Sequence, residues 1–210
     1  MYVGRIVAVG MNKAGKLAGM YRVSSRSFPN RETRNIKNQV SVMPKAGFED
    51  DLNKNPYIAY NCIRTAGAKA VITNGSHTDP IVEKIAMGYP ARDALALSLL
   101  ALDFEKDHLD TPRIAGVIDS DNNTGYLAIV RKNALSVKEF QLKPGEAFYV
   151  ATYEHDTPSV HFKDADFDVN SADDARGYIF DEGIFSDFEK PVTSAAVITT
   201  ENGFEIAAEV

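Results

Sequence analysis

Val3-Gly4-Arg5-Ile6-Val7-Ala8-Val9 and Leu17-Ala18-Gly19-Met20-Tyr21-Arg22-Val23 are two β-type runs, and Asn12-Lys13-Ala14-Gly15-Lys16 between them is a turn signal. They predict an opening hairpin, and the same grammar recurs outward from it. Further strands are expected at 39–43, 57–65 and 69–73, the last two joined across Ala66-Gly67-Ala68. The period then changes. Asp79-Pro80 reads as a helix start, with Asp as cap and Pro in the first helical position, and the helix should run to about Met87. Pro90 marks a second start, and Ala94-Leu-Ala-Leu-Ser-Leu-Leu-Ala-Leu102 is apolar on nearly every side, which predicts a central helix buried against more than one neighbour. β character returns at 113–118, 126–131, 136–142 and 147–153, a third helix is expected near 172–181, and strands at 192–199 and 204–208 follow. Strands that pair mostly with sequence neighbours, with helices grouped between the blocks, predict an α+β class of layered, mainly antiparallel sheets covered by helices.

Composition narrows the function. The 210 residues carry no Pro/Gly/Ser-rich linker, so residues 1–210 read as a single domain. A net charge of −6 argues against nucleic acid as a partner, because phosphate-backbone binding needs a broad basic surface. A single cysteine, Cys62, leaves no internal disulfide and predicts a reducing, cytoplasmic setting. No apolar run of about 18 residues is present, so no membrane span is expected. No His/Asp/Glu group has convincing metal-ligand spacing; Asp164, Asp166 and Asp168 start like a calcium loop, but Val169 and Ala175 occupy its glycine and glutamate positions. Neither metal nor cofactor is expected. Oligomeric state stays open, with a homo-oligomer allowed.

Against that acidic background, Tyr21-Arg-Val-Ser-Ser-Arg-Ser-Phe-Pro-Asn-Arg31 packs three arginines and three serines into eleven positions. Run as a strand, it would put Arg22, Ser24 and Arg26 on one face, an array of guanidinium forks and hydroxyls that matches a phosphate monoester. A solvated strand edge is the alternative. Tyr60 and Asn61 suit stacking on a heterocycle and bonding its edge, or a satisfied core position. The Asn74-Gly75-Ser76 turn gathers free N–H groups at a helix start, for an anion or for ordinary capping. Glu105 follows the apolar helix at its negative dipole end, where partial burial should raise its pKa and poise it as an acid/base; a frayed, solvated helix terminus is the alternative.

Several longer strings carry a resemblance. Met1-Tyr-Val-Gly-Arg-Ile-Val-Ala-Val-Gly10, the 21–31 segment, Asn55-Pro-Tyr-Ile-Ala-Tyr-Asn-Cys-Ile-Arg64, Asn74-Gly-Ser-His-Thr-Asp79, Asp103-Phe-Glu-Lys-Asp107 and Thr111-Pro-Arg-Ile-Ala115 resemble the archaeal-type IMP cyclohydrolases, in order, over residues 1 to about 118. The remainder is similar in length and general character. The resemblance implies a four-layer αββα sandwich like that of N-terminal nucleophile hydrolases, with the site between the sheets. It also implies closure of 5-formamidoimidazole-4-carboxamide ribonucleotide (FAICAR) to inosine monophosphate (IMP) and water, the last step of de novo purine synthesis. One departure from the wider fold group stands out. Met1 and Tyr2 offer no Cys, Ser or Thr nucleophile, which counts against amide hydrolysis by that route.

Combined with the chemistry, the resemblance implies that Glu105 moves protons, directly or through water, and that Arg31 stabilises the formyl oxyanion or holds the formyl and carboxamide groups coplanar, as the catalytic pair. Arg22, Ser24, Arg26 and Ser27 would hold phosphate and ribose, while Tyr60, Asn61, Asn74, Gly75 and Ser76 would contact the heterocycle. An amidohydrolase of the same fold and a non-catalytic purine-nucleotide-binding protein are the alternatives.

Overall fold

A computed structural model describes residues 1–209. Strands β1 (Ile6–Met11) and β2 (Leu17–Ser24) form the opening hairpin, followed by β3 (Arg31–Asn35), β4 (Gln39–Pro44), a short helix α1 (Asp51–Lys54), β5 (Tyr60–Ala66) and β6 (Lys69–Thr73). Two helices come next, α2 (Thr78–Ala86) and α3 (Ala91–Leu102). The rest comprises β7 (Arg113–Asp119), β8 (Thr124–Arg131), β9 (Ala134–Gln141), β10 (Glu146–Ala151), β11 (Lys163–Asp164), α4 (Ala172–Asp181), β12 (Pro191–Thr200) and β13 (Gly203–Ala208). Among the described residues no helix is long and apolar enough to cross a membrane.

The class is α+β, with two antiparallel sheets. One runs β11-β10-β1-β2-β12-β13, the other β3-β4-β5-β6-β7-β8-β9. Val7, Val9, Tyr21 and Val23 from the first sheet meet Val40, Val42, Ile63, Ile72 and Ile114 from the second in a shared core. Alternate residues of the same strands face outward. Ile6, Ala8, Ala18 and Met20 pack under α4 with Phe167 and Phe185, whereas Val71, Ala115 and Val117 pack under α2 and α3 with Ile81 and Leu95. Both faces of β1 and β2 are therefore covered, which is why these strands read as continuous apolar runs without polar alternation.

Three expectations need correcting. Helix α3 is an outer element: Ala94, Leu95 and Leu99 are buried, but Leu97, Leu100 and Leu102 face solvent, so its apolar circumference does not signal a central position. Helix α2 starts at Thr78, and Asp79 caps nothing; its carboxylate turns sideways to Arg64 Nη1 at 2.8 Å and Asn61 Nδ2 at 3.0 Å. The arginine-serine segment is a strand only as far as Ser24, so Arg22 and Arg26 do not share a face.

Arg22 instead ties the chain together. Its buried guanidinium donates to Phe185 O at 2.8 Å, to Phe188 O and to Glu189 O, while Nε donates to Ser24 Oγ at 3.0 Å. Segment 185–189 is thereby held to β2. At the other edge, Thr33 N and Oγ1 both reach Thr193 Oγ1, and Thr33 Oγ1 donates to Ser194 O at 2.7 Å. This contact joins the two sheets and gives the polar strand β3 its place.

Candidate active site

Three arginines meet one carboxylate at the end of the sandwich where β1, β3 and β7 begin. Arg5 stands just before β1, placed by Gly4, whose φ of +72° favours glycine and whose Cβ would lie 2.1 Å from Thr152 Oγ1. Arg31 opens β3 and Arg113 opens β7. Glu105 arrives from the opposite layer. Asp103 ends α3 with φ 57°, and the chain after it turns back so that Glu105 N–H bonds Thr111 O at 2.9 Å. Asp107 fixes this loop by accepting from Leu109 N, Thr111 N and Thr111 Oγ1, and Thr111 Oγ1 lies 3.2 Å from Tyr153 OH.

The Glu105 side chain is wholly buried. Its Oε2 is 3.6 Å from Arg5 Nη2 and its Oε1 3.9 Å from Arg113 Nη1, distances that give Coulombic attraction without hydrogen bonds. Among the described residues neither carboxylate oxygen has a hydrogen-bond partner, nor do Arg5 Nε, Arg31 Nη1 and Arg113 Nη1. Buried polar atoms are normally paired, so five such atoms around one point mark a place built to receive polar groups of a ligand. Burial pushes the Glu105 carboxyl up to about 7 against the opposing pull of Arg5 and Arg113. Burial opposes the Arg5 charge, but Glu105 holds that guanidinium above its ordinary value, whereas burial lowers Arg31.

A small chamber of about 40 Å³, lined by Tyr2, Arg5, Ser27, Arg31, Thr111 and Tyr153 among others, lies beside this cluster. Tyr2, Ser27, Leu109 and Tyr153 also line a cleft of about 520 Å³ that reaches Arg26. The larger volume is of ligand size; the inner one is not. A cleft of about 670 Å³ lies at the other end of the second sheet, but its Lys69 and Asp119 already pair with each other at 3.2 Å. The Glu105 end is the better candidate because its polar atoms are the unpaired ones.

Of the residues singled out in the sequence, Glu105 and Arg31 come together here. Tyr60 faces the inter-sheet core nearby, its OH 2.6 Å from Tyr21 OH, and burial raises its pKa while Arg31 and Arg5 pull it down. Ser27 lines the cleft, and Arg26 lies at its rim, 4.1 Å over the Tyr2 ring and 3.6 Å from Glu189. Arg22 and Ser24 lie outside the cluster, engaged with each other and with residues 185–189. Asn61 also points away, accepting from Ser41 Oγ at 2.7 Å and donating to Asp79.

The 74–76 turn serves the site indirectly. Asn74 donates to Pro112 O at 3.0 Å and accepts from Ile114 N at 2.7 Å, which brackets Arg113. Gly75 leaves room for that arginine, since a Cβ would lie 2.6 Å from Arg113 Nη1, and Ser76 is exposed. Arg5, Arg113, Tyr2 and Tyr153 were not anticipated. An arginine at the head of an otherwise apolar strand, as in Arg113-Ile-Ala-Gly-Val, is the signal that could have found two of them.

Residues 2–203 match a family described as IMP cyclohydrolase-like protein. The chain belongs to the IMP cyclohydrolase family. It is 48% identical over 201 residues to a protein named IMP cyclohydrolase from Methanosphaera stadtmanae, covering 96% of both chains. A protein of the same name from Methanocella arvoryzae is 49% identical over 207 residues, covering 98% of this chain and 96% of the relative. One from Halobacterium salinarum is 48% identical over 197 residues, covering 94% and 91%. The family likeness thus extends well past residue 118, into the segments that contribute Tyr153 and the Arg22-bound strap to this end of the fold.

Proposed function

We propose that this member of the IMP cyclohydrolase family closes FAICAR to IMP and water. The observation that carries the reading is the buried Glu105 set among Arg5, Arg31 and Arg113, with both Glu105 oxygens and one nitrogen of each arginine buried and unpaired. The reaction is intramolecular, so the protein's task is orientation and proton traffic. The carboxamide nitrogen bonds to the formyl carbon and loses one proton, and the formyl oxygen carries the developing negative charge and is protonated to a hydroxyl. The formamide N–H then gives up the second proton as the ring C=N bond forms, the C–O bond breaks, and the oxygen departs as water. Glu105, poised near neutrality, takes the proton from nitrogen and returns one to the departing oxygen. Arg31, through Nη1, stabilises the oxyanion, with Arg5 and Arg113 adding positive potential that water does not screen. The phosphate lies toward Arg26 and Ser27 in the outer cleft, and Tyr60 borders the heterocycle. Arg22 and Ser24 tie the 185–189 segment to β2 without touching the nucleotide.

The arrangement of α4 outside one sheet and α2 and α3 outside the other supports the four-layer αββα sandwich of N-terminal nucleophile hydrolases, working as one domain over residues 1–210. Cys62, a buried thiol whose pKa burial raises, fits a reducing cytoplasm. The direct test is to incubate purified protein with FAICAR and follow the ultraviolet spectrum. Appearance of IMP, lost in Glu105→Gln, supports the assignment; binding of FAICAR without conversion by the unmodified protein overturns it.

A further inference from the structure

His77 is buried and lines neither cleft, yet it borders the same gap at Gly75 as Arg113. Its Nε2 lies 2.9 Å from Ile114 O, an atom that can only accept, so the neutral ring carries its proton on Nε2. Nδ1 is then a bare lone pair. That atom is buried without a hydrogen-bond partner among the described residues, as is Arg113 Nη1. Both border the same point: a Cβ on Gly75 would lie 3.2 Å from His77 Nδ1 and 2.6 Å from Arg113 Nη1. The other end of the guanidinium is fixed by Nε donating to Asp103 O at 2.9 Å.

We infer that His77 is a positioning residue: its neutral ring fills one side of the Gly75 gap and offers the Nδ1 lone pair to the Arg113 charge without hydrogen-bonding it, and so keeps Arg113 Nη1 directed at Glu105. This deepens the cyclohydrolase reading and rests on it for its kinetic consequence. The electrostatics agree. Burial and the Arg113 charge together push the His77 imidazole down to about 3, so it stays neutral and an acceptor at any working pH. A protonated imidazole here would repel Arg113. The groups that face Glu105 are Arg5 from the start of β1, Arg113 from β7, Arg31 from β3 and Asp107 from its own loop. Of these, Arg113 is the one that borders the Gly75 gap with His77.

Three substitutions separate positioning from bulk support. His77→Asn returns an acceptor near the Nδ1 position, His77→Gln returns a donor for Ile114 O, and His77→Leu returns neither. If the acceptor positions Arg113, its loss loosens a cation that favours the ionised carboxylate, and the Glu105 pKa rises by about one pH unit. The acid limb of kcat/KM should move up by that amount in His77→Leu and His77→Gln and stay in place in His77→Asn, while His77→Gln recovers more of the thermal midpoint than His77→Leu. A limb that is unmoved, or moves down, in His77→Gln overturns the inference. Infrared titration of the Glu105 carboxyl band, taken as the difference from Glu105→Gln, reads the same shift without turnover. If Glu105→Gln remains active, the catalytic reading fails, and the infrared shift still decides the role of His77.

Discussion

Glu105 Oε2 lies 3.6 Å from Arg5 Nη2, although Arg5 precedes the first strand of one sheet and Glu105 follows the helix that covers the other. Neither layer contains the pair alone. Their approach closes the end of the sandwich, and the burial that results makes the carboxyl a weak acid near neutral pH.

Replacing Glu105 by Gln should therefore remove turnover while preserving the shape of the cleft. We expect kcat to fall by at least about 10³-fold, consistent with loss of a general acid/base, and the dissociation constant for IMP to change by no more than a few-fold. Steady-state kinetics and calorimetric titration with IMP check both.

The same carboxyl makes activity pH-dependent. With its pKa at about 7, kcat/KM should rise as the pH passes through that value and Glu105 becomes a base. A flat profile between pH 5.5 and 8.5 would remove Glu105 from proton transfer.

Stability should run the opposite way. The folded pKa is raised above the ordinary carboxyl value of 4.5, so the stabilisation from keeping Glu105 neutral is full below 4.5 and is lost as pH rises through 7. The difference is of the order of 3 kcal/mol. Urea unfolding at pH 5 and pH 8 should show it in the unmodified protein, and Glu105→Gln should lack that component of the pH dependence.

Arg22 and Arg26, four positions apart, should behave as opposites. Arg22→Leu leaves the carbonyl of Phe188 unpaired in a buried setting, removes one of the two bonds to Phe185 O, and should cost about 3 kcal/mol of stability. Arg26→Ala lies at the rim, should leave the thermal midpoint within about a degree, and should weaken IMP binding about tenfold through loss of a phosphate contact. An unchanged IMP dissociation constant in Arg26→Ala would refute the phosphate assignment.

Gly75→Ala tests the space beside Arg113. A Cβ 2.6 Å from Nη1 must displace the guanidinium, and kcat/KM should drop by about 10²-fold, since small misplacements at a reacting centre are costly. Full activity in that variant would show that Arg113 is not held where it matters.

Much of the fold is legible in local sequence. Segments 69–73 and 172–181 coincide with β6 and α4 at both ends because each combines a clear period with a sharp boundary: the Ala66-Gly67-Ala68 turn for one, the Ser171 cap for the other. β3 escaped notice for the opposite reason. Arg31-Glu-Thr-Arg-Asn35 has no apolar alternation, and its strand conformation depends on pairing with β4 and on the bonds of Thr33 to residues about 160 positions away. The site was half legible. Glu105 and Arg31 could be singled out by residue type and context, whereas Arg5 and Arg113 could be recognised as its partners only once the chain had brought them beside the carboxylate.

Sequence alone determined the class, the family and the order of the elements with a clear period, while β3, α1 and β11 went unread. Periodicity, turn residues and long ordered strings are local properties of the chain. Tertiary structure decided which arginine does what. Arg22, Arg26 and Arg31 are alike as residues, but one is saturated by buried carbonyls, one lies over Tyr2 at a rim, and one keeps Nη1 unpaired near Glu105. A guanidinium's role is set by the acceptors around it, and those acceptors come from distant parts of the chain.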